Sequence, residues 1–255
     1  MPTERRRSIR EYIEAHGEAN LDELMQLCNG CTSMTLWRDL KKLEDEGAIR
    51  RKRGGAIAVR LVQTEAESLY EQRSVVNPKA KRIIAQSAVQ YVHQSDSVYL
   101  DAGSTIMALV HMLPDQYYNI ITSGTNIASE LSQKSKCNVT IVGGQVNGNT
   151  ISCSGPQAEA FLDGVNIDIA IMVTSGFSLQ SGFTSSHFSE HQLKRKVIKK
   201  AKRIIMLMDD SKLNRNMPFT FAALQDIDVL ICNEPLPEEI MSFAKRNGVR
   251  VITGE

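Results

Sequence analysis

Residues 33–53 hold side chains whose types and spacing suit contact with a nucleic acid. Leu36, Leu40 and Leu43 recur at i, i+4 and i+7 and share one face of a helix. At about 100° per residue, Met34, Trp37, Arg38 and Lys41 point the other way. Ser33 and Thr35, at the start of the helix, are further candidates for DNA contact. A short helix that packs by one side and offers polar, aromatic and cationic groups on the other can lie in a DNA major groove. Gly47 stops it, and Arg50, Arg51, Lys52 and Arg53 follow as consecutive cations. Cations in such a run suit phosphates, which supply affinity without sequence information. An ordinary surface helix also exposes charge, so the neighbouring elements must decide between the two readings.

A second set of residues follows a series of short apolar runs. These are Asp101-Ala102-Gly103-Ser104-Thr105, Ser123-Gly124-Thr125-Asn126, Gly143-Gly144, Thr174-Ser175-Gly176 and Asp209-Asp210-Ser211-Lys212. Glycines let a backbone approach closely, hydroxyls and free amides donate, and helix starts favour anions. Lys212 supplies a cation, and Lys194 is a second candidate. Asp101 is better suited to sugar hydroxyls than to a phosphate. The chemistry points to a small polyhydroxylated anion, best met by a sugar phosphate. Plain strand-to-helix turns use the same residue types. It is the convergence of several such loops that favours a binding site.

The remaining candidates are weaker. Cys28 and Cys31 form a CxxC with no second pair at zinc spacing, which favours packing of a turn over metal or redox use. His187 and His191 are four apart with no evident third ligand, the pattern of a surface pair. No catalytic residue, metal or cofactor is expected.

The elements around the first set fit a DNA-binding head. Residues 3–15 read as a helix ended by His16-Gly17. Asn20 caps a second helix, with Glu23 at the capping-box position and Leu21, Leu24 and Leu27 facing inward. Residues 28–31 make the turn, and Thr32 or Ser33 caps the third helix. Two short helices joined by a glycine-containing turn form a helix-turn-helix, whose second helix reads. Residues 48–53, the Gly54-Gly55 turn and residues 56–61 describe a β-wing.

Beyond a polar connector, helical stretches alternate with apolar runs. Strands are expected at 97–100, 119–122, 138–142, 167–173, 203–208, 228–232 and 249–252. Helices are expected at 79–94, from 104 to about 113, and at 126–135, 190–201 and 237–247. Val- and Ile-rich strands separated by helices indicate a mostly parallel sheet covered on both faces. The expected class is therefore α/β: a winged helix-turn-helix domain over 1–60, a linker over 61–78, and a Rossmann-like domain over 79–255.

The chain of 255 residues suits two domains, and its formal net charge of +1 is close to neutral. The basic charge is local instead, at Arg5, Arg6, Arg7 and Arg10 and in the wing. That pattern implies one DNA-binding module joined to something else. No apolar run approaches the ~18 residues needed to span a membrane. The charged start lacks a secretory apolar region, and an odd count of five cysteines suits a reducing cytoplasm.

Residues 4–56 resemble the N-terminal domain of the DeoR family of bacterial transcriptional repressors. Thr35, Leu36, Arg38, Asp39, Leu40, Leu43, Gly47, Arg51, Gly54, Gly55 and Ala56 match the family pattern. Trp37 and Arg53 depart from it, standing where the family usually has Arg and His. Residues 97–234 resemble the DeoR-family sensor domain, itself similar in fold to ribose-phosphate isomerase and glucosamine-phosphate deaminase. The matches are Asp101, Ala102, Gly103, Thr105, Gly143, Gly144, Gly155, Asp168, Gly182, Glu190, Lys194, Ser211 and Lys212. Ser104 replaces a usual Thr, and Ser123 a usual Asn.

The resemblance implies a repressor of carbohydrate uptake or catabolism genes, controlled by a phosphorylated sugar. Such a regulator would work as a homodimer or homotetramer on double-stranded operator DNA, with no membrane partner. The competing expectation is a sugar-phosphate isomerase or deaminase with a DNA-binding appendage. Asp101, Asp209, Asp210 and Glu190 would be its possible acids and bases.

Overall fold

The computed structural model describes residues 2–16, 18–28, 31–45, 49–52, 54–58 and 69–254. The chain divides into two compact units, Met1–Ala66 and Glu67–Glu255.

The first unit runs α1 (Pro2–His16), β1 (Glu18–Asn20), α2 (Leu21–Leu27), α3 (Ser33–Asp45), β2 (Ile49–Lys52) and β3 (Gly55–Ala58). Its strands form an antiparallel sheet in the order β1-β3-β2. Ile9, Ile13, Leu24, Leu36, Leu40 and Ile49 are fully enclosed between helices and sheet. This is a winged helix-turn-helix. Asn20 forms the expected capping box on α2: Glu23 N donates to Asn20 Oδ1 (2.9 Å) and Asn20 N to Glu23 Oε2 (2.8 Å). Thr32 caps α3, its hydroxyl accepting from Thr35 N at 3.3 Å. Strand β1 is an addition to the sequence reading. It lies so close to β3 that a Cβ on Gly55 would stand 2.2 Å from the Ala19 carbonyl oxygen, so only glycine fits there. Asp39, buried on α3, takes Arg5 Nε at 2.6 Å and lies 3.9 Å from Arg6 Nε, which fastens α1 to α3.

The second unit opens with α4 (Tyr70–Val75) and α5 (Pro78–Ala88), then β4 (Ser97–Leu100), α6 (Ser104–Met112), β5 (Tyr118–Thr122), α7 (Thr125–Ser132) and β6 (Cys137–Ile141). A hairpin of β7 (Gln145–Asn147) and β8 (Ser152–Ser154) leads to α8 (Pro156–Asp163) and β9 (Ile167–Val173). Next come β10 (Gly176–Ser178), β11 (Gly182–Ser185), α9 (Phe188–Lys200) and β12 (Ala201–Met208). The chain continues through β13 (Phe219–Ala222), β14 (Val229–Cys232), α10 (Glu238–Arg246) and β15 (Arg250–Thr253).

Seven strands form a parallel sheet in the order β15-β14-β12-β9-β4-β5-β6. Alternate residues feed two cores. Ile169 and Ile171 of β9 pack with α5, α6 and α7, whereas Ala170 and Met172 pack with α8, α9 and α10. Strands β10, β11 and β13 form a separate antiparallel sheet. The helix expected over 79–94 ends earlier, at Ala88, and continues as a single 3₁₀ turn at Val89–Tyr91.

Candidate nucleic-acid interface and effector site

Helix α3 separates its two faces cleanly. Leu36 and Leu40 are fully buried, while Met34, Arg38 and Lys41, at i, i+4 and i+7, are exposed, Met34 by 74%. These three form the open stripe, with Ser33 exposed at its start. Thr35 is half-buried, its hydroxyl 2.9 Å from that of Thr32. Trp37 is also half-buried: it packs against the core and carries the Arg51 guanidinium carbon 5.9 Å from its ring centroid.

Arg51 and Lys52, expected to meet phosphates, each have an acidic partner. Arg51 Nε donates to Glu44 Oε2 (2.6 Å), Arg51 N donates to Glu44 Oε1 (2.8 Å), and Lys52 donates to Glu18. Both pairs are open to solvent, and exposed pairs contribute only about 0–1 kcal/mol, so a phosphate can replace the carboxylate at little cost. Arg53 lies outside the described residues.

Cys28 is buried, and burial, with Cys31 adding to it, pushes its thiol up to about 11. It is therefore protonated near neutrality, a poor metal ligand that fills the turn. Among the described residues no three His, Cys, Asp or Glu side chains group as a metal site.

In the larger unit the strand order reverses between β4 and β9, the point where open α/β sheets bind ligands. The Asp101 carboxylate sits there. It accepts from Ala102 N (2.9 Å) and Val173 N (3.1 Å), and it takes the Lys194 ammonium. Lys194 also donates to the Val173 carbonyl (3.0 Å) and lies 3.4 Å from Glu190 Oε1, one helical turn earlier on α9. The Lys194 and Asp101 side chains are 3% and 2% exposed, so the pair seals the floor of the edge. Gly103 is in close quarters with β9, since a Cβ on it would come 2.9 Å from Val173 Cγ2. Ser104 and Thr105 then open α6. Among the described residues no side chain caps its N-terminus, where the leading amides and the positive end of the helix dipole favour an anion.

The other expected contacts sit at neighbouring strand ends. Ser123 is buried, and its carbonyl accepts from Cys153 N at 2.7 Å. Beside it the fully buried Tyr99 phenol is held well above its usual range by burial and by the Asp101 charge. Asn126 begins α7 and faces the Tyr70 phenol of α4. Gly143 and Gly144 lead from β6 into the β7–β8 hairpin, which turns back on α7 through a Thr125 N to Ile151 O bond of 3.1 Å. Gly176 is engaged by protein instead. A Cβ there would stand 2.3 Å from the Arg215 carbonyl oxygen, and its own carbonyl accepts the Thr174 and Thr184 hydroxyls at 2.6 and 3.0 Å.

Lys212 ends the 3₁₀ turn Asp210–Lys212. Asp209 caps that turn, accepting from Ser211 N (3.2 Å), the Ser211 hydroxyl and Asn77 Nδ2 (3.4 Å). Two cations that the sequence reading passed over gather here. The buried Lys81 ammonium donates to the Arg73 and Val76 carbonyls. Burial pushes its pKa down; Asp209 opposes the shift, and Lys212 and Arg73 add to it. The usable signal was Arg73, Asn77 and Lys81 recurring every four residues across Pro78.

The two histidines are not a surface pair. His191 is buried, with the Phe188 and Phe219 rings each 5.9 Å away, because α9 packs this face on β13. Burial, with Arg195 adding to it, holds its pKa below the usual value.

Comparison with known proteins agrees with both units. The family model for the DeoR-like helix-turn-helix domain matches residues 5–61, and that for the DeoR C terminal sensor domain matches residues 76–234. The chain belongs to the DeoR family. Its relatives match end to end. The HTH-type transcriptional regulator GlpR of Haloferax volcanii is 32% identical, over 100% of this chain and 98% of that protein. The HTH-type transcriptional repressor GlcR of Bacillus subtilis is 31% identical, over 99% of this chain and 96% of that protein. Among solved structures, ribose 5-phosphate isomerase A of Methanocaldococcus jannaschii aligns with a TM-score of 0.40 and 18% identity, covering 54% of this chain and 55% of that one. This DeoR-family chain is thus a helix-turn-helix transcriptional regulator and not an enzyme. Among the described residues no helix is long and apolar enough to cross a membrane.

Proposed function

We propose that the protein is a cytoplasmic repressor of carbohydrate uptake or catabolism genes, whose hold on double-stranded operator DNA is set by a phosphorylated sugar bound in the larger unit. The observation that carries this reading is the edge beyond β4 and β9, where the uncapped start of α6 opens beside the sealed Asp101–Lys194 floor. The phosphate takes the Gly103, Ser104 and Thr105 amides together with Lys212. The sugar hydroxyls meet Asp101, Ser123, Asn126 and the Gly143-Gly144 backbone. Lys194 acts through Asp101, holding its carboxylate in place. Gly176 supports the reading only indirectly, by shaping the wall behind this edge.

On the DNA side, Arg38 and Lys41 read bases, Met34 supplies apolar contact, and Ser33, Thr35 and Trp37 flank them. Arg51, Lys52 and Arg53 bind phosphates. One head spans few base pairs, so a homodimer or homotetramer on repeated half-sites is required for specificity. Control is linkage: the sugar phosphate binds one arrangement of subunits better than the other, and that difference shifts DNA affinity.

The test has two arms. Selection of bound sequences from a random DNA pool should yield a repeated half-site motif. Melting of the protein with a panel of phosphorylated sugars, and with the same sugars unphosphorylated, should give stabilisation by a phosphorylated member alone. Absence of a motif, or equal stabilisation by the unphosphorylated sugars, overturns the proposal.

A further inference from the structure

We infer that Met34 reads the 5-methyl group of a thymine, so that each operator half-site carries a thymine within about two base pairs of the base met by Arg38. The inference rests on the proposed function and names the base that one position of the reading helix selects.

Among the described residues of the smaller unit, the exposed large apolar side chains are Leu27, at 40%, and Met34, at 74%. Leu27 closes α2, whereas Met34 belongs to α3. Met34 lies in the first turn of α3, whose start is held by the Thr32 hydroxyl accepting from Thr35 N. The leading residues of a reading helix are the ones that meet base edges. Arg38 and Lys41 follow Met34 at i+4 and i+7 and are exposed with it. Trp37, the other large apolar group beside this stripe, is half-buried against the core and has the Arg51 guanidinium carbon 5.9 Å from its ring centroid. Trp37 is therefore engaged within its own unit, while Met34 takes no part in the apolar core. The stripe that presents the cations thus carries an apolar group at its leading end.

The major groove offers a matching group on one base. Every base edge there presents hydrogen-bond donors or acceptors, and thymine adds its C5 methyl. A thioether donates nothing and accepts weakly, so Met34 cannot satisfy the N7 and O6 acceptors of guanine or the N4 amino group of cytosine. Over a G·C pair it would exclude water and leave those groups unpaired, which is the costly case. Over a thymine methyl it buries one apolar group against another, and its unbranched side chain adapts to the contact. Attraction to thymine and rejection of G·C therefore act in the same direction. Spacing adds a second constraint. From Met34 to Arg38 the helix rises about 6 Å, and stacked base pairs are about 3.4 Å apart. A helix lying in the groove sets these two side chains over pairs about one or two steps apart. Arginine most often contacts guanine, so the half-site joins a thymine to a guanine at that separation.

The experiment uses the full chain and a labelled duplex carrying the motif selected from a random pool. Each thymine of one half-site is replaced in turn by deoxyuridine, which pairs in the same way and lacks the methyl alone. Affinities are measured by fluorescence anisotropy for the parent and for Met34→Ser. Because Met34 lies outside the core, the variant keeps its fold, which circular dichroism checks. Burial of one methyl is worth about fourfold in affinity. At one thymine, the uracil duplex should therefore bind the parent about three- to fourfold more weakly, and Met34→Ser should bind both duplexes within about 1.5-fold of each other. That thymine should stand within about two base pairs of the position whose preference Arg38→Ala relaxes. A parent indifferent to every uracil substitution overturns the inference, as does a Met34→Ser protein that still discriminates like the parent. Failure of the broader reading looks different: selection from the random pool then yields no motif at all.

Discussion

Removing the Lys194 ammonium separates a structural role at the floor of the edge from direct anion binding. Lys194 and Asp101 are 3% and 2% exposed, so neither charge is rescued by water if the other is deleted. Truncating one member of such a pair costs about 3–5 kcal/mol. In Lys194→Met, Asp101 still accepts the Ala102 and Val173 amides, at 2.9 and 3.1 Å, which keeps the expected loss near the lower end, about 3 kcal/mol. For a unit of this size that corresponds to a fall in Tm of roughly 6–12 °C. Asp101→Asn leaves the ammonium with the Val173 carbonyl and the Glu190 carboxylate, 3.4 Å away, and should cost less. The double variant should lose less than the sum of the two, with a coupling of about 0.5–3 kcal/mol. Urea unfolding followed by circular dichroism reports mainly the larger unit. Emission of Trp37, the single tryptophan, follows the smaller one in the same samples. A Lys194→Met loss below about 1 kcal/mol, the value of a solvated pair, would refute the sealed floor.

Arg38→Ala should weaken binding to the selected DNA motif by about 1–3 kcal/mol and relax base preference at one position. An equal loss on random DNA would reduce Arg38 to a phosphate contact. Arg51→Gln should flatten the salt dependence of DNA binding by roughly one counterion, while Glu44→Gln, which frees Arg51, should raise affinity at low salt. An unchanged slope in both contradicts the exchange of Glu44 for phosphate. Because His191 is held below its ordinary pKa of 6.5, the unfolded chain binds the extra proton first, and stability falls as pH drops below about 6.5. His191→Gln should remove that part of the acid limb of a melting profile. With its thiol near 11, Cys28 should resist a thiol reagent at neutral pH until the protein is unfolded.

The sequence carried the two architectures because each has a periodic signal. The Leu36, Leu40 and Leu43 spacing gave α3, and Asn20 with Glu23 gave the start of α2. Strand β9 was legible because a strand covered on both faces reads as one apolar run. Strands β1, β7, β8, β10 and β11 have only three or four residues, rich in Gly, Ser, Thr and Asn, and owe their pairing to tertiary contacts that no local pattern records. The same limit applied to side chains. That Asp101, Gly103, Ser104 and Lys212 stand at strand ends followed from the order of elements. That Lys194 is spent on Asp101, Arg51 on Glu44, and Lys81 on the carbonyls closing α4 depends on distances across the fold.

The most direct test is fluorescence anisotropy of a labelled duplex carrying the selected motif, held by the full chain and titrated with each phosphorylated sugar and its unphosphorylated counterpart. A phosphorylated sugar should shift DNA affinity by about fivefold or more, its counterpart should not, and Lys212→Met should blunt the response. DNA binding that ignores every phosphorylated sugar, or that answers equally to the unphosphorylated ones, contradicts the account.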